Sequence, residues 1–149
     1  MRVYRITTVR WSTKLTASGF PARWNSKGRF VLYTGATRAL ACLENVVHRS
    51  GEGLNHLFRV MVIEVPDDIL IKKINLEELP EGWDNFESFT ITQTIGDDWI
   101  ERHEVPVLQV PSAVINQEYN YLFNVNHPDF QQVKLIATEP FAFDLRIKE

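Results

Sequence analysis

Apolar and polar positions divide the chain into short β-type runs and two helical stretches. Residues 3–7 and 30–34 have strand composition. Between them, Gly19-Phe20-Pro21 and Asn25-Ser26-Lys27-Gly28 carry turn residues, so the first third reads strand, long loop, strand. From Thr37 to about Arg49 the spacing becomes helical, with Leu40, Leu43 and Val47 on one face and Gly51 and Gly53 marking the end. Residues 57–65 are β-rich and stop before Pro66-Asp67-Asp68; residues 69–74 predict a further strand and residues 80–83 a loop. Residues 90–102 predict a second helix with Ile91, Ile95, Trp99 and Ile100 as its buried side, although Gly96 is a poor helix former. Residues 107–110 form a strand ending at Pro111, and residues 113–115, 119–123, 133–138 and 141–147 complete a strand-rich second half. Strands outnumber helices without alternating regularly with them, which favours α+β over a doubly wound parallel sheet.

The 149 residues fit one domain, 1–149, able to bury a core without metal or disulfide support. With 44% hydrophobic and 23% charged residues the balance is that of a globular protein, and no apolar run is long enough to span a bilayer. The N-terminus, Met1-Arg2-Val3-Tyr4-Arg5-Ile6-Thr7, reads as a strand rather than a signal peptide, so the cytoplasm is the expected location. Cys42 stands alone and no paired Cys/His spacing offers a zinc site, so no metal is expected. A net charge of −3 gives no global attraction for DNA or RNA. An anion held by this chain must be met locally, which points to a small phosphate-bearing ligand.

Glu44 is the most informative position, because at about 100° per residue it falls about 40° from Leu40, on the apolar side of the first helix. A carboxylate there is partly desolvated, so either it is protonated or a cation or hydrogen-bond donor meets it; the simpler reading is a glutamate at the edge of the apolar face, its carboxylate reaching water or a structural arginine. Arg23, beside Trp24 in the loop at 19–28, suits bidentate phosphate recognition, yet a surface turn accounts for it equally well. That loop matches neither the dinucleotide fingerprint nor the Walker pattern. Tyr33 shares a strand face with Val31 and reads as a core aromatic or as a ring to stack on a heterocycle. Ser112, after Val110-Pro111, lacks the glycines of a nucleophile elbow and reads as a turn-capping hydroxyl or a ligand contact. His48, His56, His103 and His127 are scattered and are read as structural or exposed, His127-Pro128-Asp129 as a turn, and Cys42 as lying across the helix from Leu40.

Taken together, six strings resemble the RES family, the toxin half of bacterial toxin–antitoxin pairs. They are Gly19-x-x-Ala22-Arg23-Trp24-Asn25-x-x-Gly28, Val31-Leu32-Tyr33-Thr34, Ala39-Leu40-Ala41-x-x-Glu44, Gly96-Asp97-x-Trp99, Val110-Pro111-Ser112-Ala113-Val114, and Asn120 to Asn124 followed by His127-Pro128-Asp129. The resemblance implies an α+β fold like that of ADP-ribosyltransferases, a split mixed or antiparallel sheet with flanking helices framing an NAD cleft. It implies Arg23, Tyr33, Glu44 and Ser112 as active-site residues, with Arg5, Arg23 and Tyr33 binding NAD, which is the substrate rather than a cofactor. The implied activity is cleavage of the nicotinamide–ribose bond, by a glycohydrolase or phosphorylase, or else ADP-ribosylation of a protein target. In the implied roles Arg23 holds the pyrophosphate, Tyr33 packs on nicotinamide or ribose, and Ser112 bonds the carboxamide or ribose. The implied partner is an Xre-type helix-turn-helix antitoxin, with room for a homodimer and with neither nucleic acid nor membrane bound directly. A reading of another class, a non-catalytic nucleotide-binding module, would not require the carboxylate.

Overall fold

The computed structural model describes residues 1–48 and 57–147. Its seven strands are β1 (Arg2–Thr8), β2 (Val31–Gly35), β3 (Phe58–Glu64), β4 (Ile71–Lys73), β5 (Val107–Pro111), β6 (Tyr119–Asn124) and β7 (Lys134–Phe141), with helices α1 (Arg38–His48) and α2 (Phe89–Arg102). The strands form one sheet in the order β4-β5-β6-β2-β1-β3-β7, in which only β4 and β5 are parallel. This is the α+β mixed sheet that the sequence predicts.

The sheet is split in the middle. β1 pairs with β3 along its whole length, from Arg2 opposite Glu64 to Thr8 opposite Phe58, and β2 pairs with β6 at each of its residues. Between β1 and β2 the only register pair is Tyr4 opposite Gly35. Beyond that joint the two strands diverge, and the backbone opens a gap that side chains must fill.

Alternation along the strands explains how both faces are covered. Val60 and Val62 of β3 join Ile6, Phe58 and Ala41 in a cluster under α1, whereas Met61 and Ile63 face the opposite side with Val3, Leu32, Val107 and Phe123. That second cluster draws residues from both halves of the sheet and holds them together beneath the gap. A third cluster, Val31, Leu108, Val110 and Leu122 with Trp24, Trp83 and Trp99, lies under α2.

Both helices turn their faces differently from the apolar pattern. In α1 the buried residues are Leu40 and Ala41, Cys42 and Val46 pack on the Phe58 cluster, and Leu43 and Val47 are exposed. Cys42, across the helix from Leu40, therefore meets apolar side chains rather than open solvent. In α2 the inward residues are Thr92, Gly96 and Trp99, with Ile95 and Ile100 partly buried, while Ile91 is exposed. The glycine that counts against a helix is what lets α2 approach the loop at 19–28. A Cβ on Gly96 would stand 1.6 Å from the carbonyl oxygen of Trp24.

Two predicted strands are absent. Residues 113–115 form bends because the Ser112 hydroxyl accepts from the backbone N–H groups of Val114 and Ile115, both at 3.1 Å, turning the chain instead of leaving those donors for a ladder. Residues 142–147 leave the sheet after β7: Phe143 folds back edge-on to Phe58 and Phe141, and Asp144 closes a turn by accepting from the backbone N–H of Arg146 at 2.8 Å. The end of α1 at Arg49, the terminating Gly51 and Gly53, and His56 lie outside the described residues. None of the helices among the described residues is long and apolar enough to cross a membrane.

Candidate active site

The gap between β1 and β2 opens onto a cavity of about 550 Å³ whose walls include Arg5, Arg23, Tyr33, Glu44, His48 and Phe89. Four of the five residues proposed from the sequence thus meet around one space. Ser112 does not reach that wall; it is fully buried behind Glu44.

Glu44 projects from the middle of α1 with 21% of its side chain exposed. The Ser112 hydroxyl donates to its Oε1 at 2.8 Å, and Nε2 of His48, one helical turn further on, lies 3.2 Å from its Oε2. The carboxylate is therefore gripped on both oxygens. Because the Ser112 oxygen also accepts from the two backbone N–H groups of Val114 and Ile115, its hydroxyl is polarised toward Glu44. In this arrangement Ser112 orients the carboxylate and leaves no free hydroxyl for a ligand. Ser112→Ala should leave those two N–H groups without an acceptor, costing about 1–3 kcal/mol. Chemical denaturation would measure that loss, and an unchanged midpoint would count against the bonding.

His48 is the site residue that sequence reading set aside. Its signal is the spacing of four from Glu44, which places both side chains on one helix face.

Tyr33 comes from β2, at the edge of the gap. Its hydroxyl donates to Asn25 Oδ1 at 2.5 Å and accepts from the Trp24 backbone N–H at 3.1 Å. Burial is the main reason its pKa is raised above the ordinary tyrosine value, so the phenol is neutral. The ring forms wall while the hydroxyl holds the loop at 19–28 in place.

That loop is laced to α2 along its length. Thr92 Oγ1 donates to the Arg23 carbonyl at 2.5 Å, Gln93 Nε2 to the carbonyls of Ala22 and Asn25 at 2.9 and 3.0 Å, and Asp97 accepts from the Ser26 N–H at 3.0 Å. On this platform the Arg23 guanidinium lies 4.7 Å from the Phe89 ring centroid, and one of its nitrogens donates to the carbonyls of Trp83 and Asn85 at 3.1 and 3.3 Å. Desolvation lowers its pKa, opposed by the fields of Asp84, Glu44 and Tyr33. A guanidinium remains a cation under such a shift.

Arg5 reaches across the split from β1 and donates to the Tyr33 carbonyl on β2 at 2.9 Å. No carboxylate among the described residues lies within ion-pairing distance of it, and desolvation lowers its pKa. A half-buried cation that lines the cavity and has, among the described residues, one neutral hydrogen-bond partner is suited to meet an anionic ligand. In this net-negative protein the described cavity wall therefore carries two guanidinium groups, Arg5 and Arg23, and the Glu44 carboxylate. Among the described residues no cluster of three or more His, Cys, Asp or Glu side chains could hold a metal ion.

A split α+β sheet with a single oriented carboxylate and two arginines at its gap defines a cleft protein built around one acidic group. The chain belongs to the RES domain family, whose model matches residues 2–144. It is 35% identical over 127 residues to the Prs ADP-ribosylating toxin of Sphingobium sp. strain YBL2, covering 84% of this chain and 79% of that protein. It is 32% identical over 154 aligned positions to Toxin Res of Yersinia enterocolitica, covering 99% of this chain and all, 100%, of that one. Its fold is similar to a chain of the M. tuberculosis MbcT–MbcA toxin–antitoxin complex, with a TM-score of 0.77 at 16% identity over 95% of this chain and 84% of that chain.

Proposed function

We propose that this protein is the toxin of a toxin–antitoxin pair and cleaves the bond between nicotinamide and ribose in NAD. The observation that carries the reading is the Glu44 carboxylate, held by Ser112 at 2.8 Å on the wall of a cavity that also presents Arg5 and Arg23. When the bond from the ribose carbon to the pyridinium nitrogen breaks, its electron pair neutralises the ring, and nicotinamide departs without needing a proton. The charge that develops lies on the ribose. A carboxylate fixed beforehand next to it stabilises that oxocarbenium-like state, as in glycoside cleavage. Arg5 and Arg23 match the two charges of the diphosphate, Arg23 through the nitrogens not bonded to Trp83 and Asn85. Tyr33 supplies a flat wall for the nicotinamide ribose.

The acceptor that completes the reaction is water, inorganic phosphate or a protein side chain. Its nucleophilic atom, an oxygen in water or phosphate, forms the new bond to the ribose carbon as the bond to nicotinamide breaks, and any proton it sheds passes to solvent or to Glu44. The name of the Sphingobium relative favours the protein acceptor; the solvent-open cavity allows the other two. Incubation with NAD, with and without phosphate and cell extract, followed by mass analysis separates the three. Free ADP-ribose, its phosphorylated form or an added ADP-ribosyl mass on a protein is the expected product. NAD left intact in all mixtures would reduce the chain to a non-catalytic nucleotide-binding module.

A cytoplasmic protein with this activity requires restraint, and the similarity to a chain from a toxin–antitoxin complex supports an antitoxin as partner. We propose an Xre-type helix-turn-helix protein that covers the cleft, with the toxin also able to form a homodimer. Co-expression with a helix-turn-helix protein encoded beside the toxin should restore growth and NAD level; growth arrest persisting in its presence would remove that pairing.

A further inference from the structure

Two neighbouring residues of α1 are bonded to opposite halves of the split sheet. Glu44 accepts from Ser112, which directly follows β5, at 2.8 Å, and Asn45 Nδ2 donates to the Ile6 carbonyl of β1 at 3.0 Å. β5 belongs to the half formed by β4, β5, β6 and β2, and β1 to the half that continues through β3 and β7. Little else holds this end of the helix. Leu43, Val47 and His48 are exposed, Val46 is partly buried, and the buried residues Leu40 and Ala41 lie nearer the start of α1.

On stability alone, an asparagine is a poor choice for this contact. Only its nitrogen can face a carbonyl, which fixes the orientation of the amide and leaves Oδ1 buried with no hydrogen-bond partner among the described residues. A buried acceptor without a donor generally costs more than one neutral hydrogen bond contributes. An apolar side chain of the same shape would avoid that cost, so what the amide supplies is the single directed bond to β1.

We infer that Asn45 is a positioning residue, which sets Glu44 over the gap by fixing α1 to the β1 half of the sheet. The inference rests on the proposed NAD cleavage and adds to it a residue that touches no reacting atom. The bond joins the neighbours of two site residues, Ile6 beside Arg5 and Asn45 beside Glu44, and so sets the separation of the carboxylate from that cation. Ser112 holds the tip of the glutamate; Asn45 holds the helical turn from which it springs. Without the second tie, α1 keeps its Ser112 contact and its apolar packing while the carboxylate loses its register with Arg5. A misplacement of about 1 Å costs a reaction of this kind about 10²-fold, and a loosened helix costs part of that.

Asn45→Leu keeps the shape of the side chain and removes both the bond to Ile6 and the unpartnered acceptor. It should lower kcat for NAD about tenfold, leave KM within about twofold, and leave the thermal midpoint unchanged or raised. Asn45→Asp provides a conditional rescue. Its ionised carboxylate cannot donate to the Ile6 carbonyl whereas the protonated acid can, so its kcat relative to wild type should rise as the pH falls. Lost turnover at an intact midpoint, together with that recovery, supports the positioning role. Unaltered kcat in Asn45→Leu overturns it. So does a kcat that falls in step with the thermal midpoint while Asn45→Asp shows no recovery at low pH, the mark of a merely structural residue. If the wild-type protein leaves NAD intact, the proposed activity fails, and amide hydrogen exchange along α1 decides the tie by itself. Faster exchange over residues 43–48 in Asn45→Leu than in wild type supports it, and equal exchange removes it.

Discussion

Glu44→Gln should lower NAD turnover by at least about 10²–10³-fold while leaving the fold intact. Glutamine keeps the shape of the side chain and an oxygen to accept from Ser112, so the buried hydroxyl retains its partner and the two N–H groups behind it retain theirs. The negative charge that would face the ribose is what disappears. KM should move little, because Arg5 and Arg23 on the cavity wall are unaltered and ground-state binding does not depend on the carboxylate. Steady-state kinetics beside a thermal melt measure both quantities. Full turnover in a normally folded Glu44→Gln protein would remove the carboxylate from the chemistry.

Gly96→Ala should damage the protein more than any other single methyl group among the described glycines. The added Cβ would lie 1.6 Å from the Trp24 carbonyl oxygen, where contacts under 3.0 Å are essentially unknown, and the obstacle is backbone that cannot swing aside. Either α2 moves off the loop or the loop moves off α2. In both cases the bonds from Thr92, Gln93 and Asp97 to residues 22–26 are strained together. A loss at or above the ordinary overpacking range of about 1–3 kcal/mol is expected. Protein that still folds should lose about 10²-fold in kcat/KM, since Arg23 and the wall behind Tyr33 ride on that loop. Ile91→Ala, at an exposed position on the same helix, should stay within about 0.5 kcal/mol and serves as the control. Equal stability and activity for Gly96→Ala and wild type would show that the close approach is not maintained.

These expectations mark what the sequence discloses and what it conceals. The central strands were legible because they are buried on both faces, so that a run such as Phe58 to Glu64 is almost continuously apolar. Helix orientation was less legible. Leu43 and Val47 carry more apolar surface than Ala41 and Cys42, yet the small residues are the ones that fit against β1 and β3. The largest side chains mark the inner face only where there is room for them. At the site, Glu44 could be picked out from its helical phase and the resemblance identified its companions, but not their partners. That Ser112 lies behind the carboxylate depends on contact between residues 68 positions apart. The carbonyls that engage Arg23 are 60 and 62 positions away from it. No local pattern encodes such bonds.

Gly35 holds the one register pair between β1 and β2 among the described residues and is also the point from which the chain enters α1. A Cβ there would lie 3.1 Å from the Ala41 backbone nitrogen, so the helix rests directly on the strand end. Glu44 stands about seven residues along that helix, roughly 10 Å at 1.5 Å per residue. The helix is thus a lever pivoting on a glycine, and a tilt of about 5° would carry the carboxylate about 1 Å, enough to cost about 10²-fold in rate. Changes that press on the joint, which is itself part of the cavity wall, should therefore be read out at the acid.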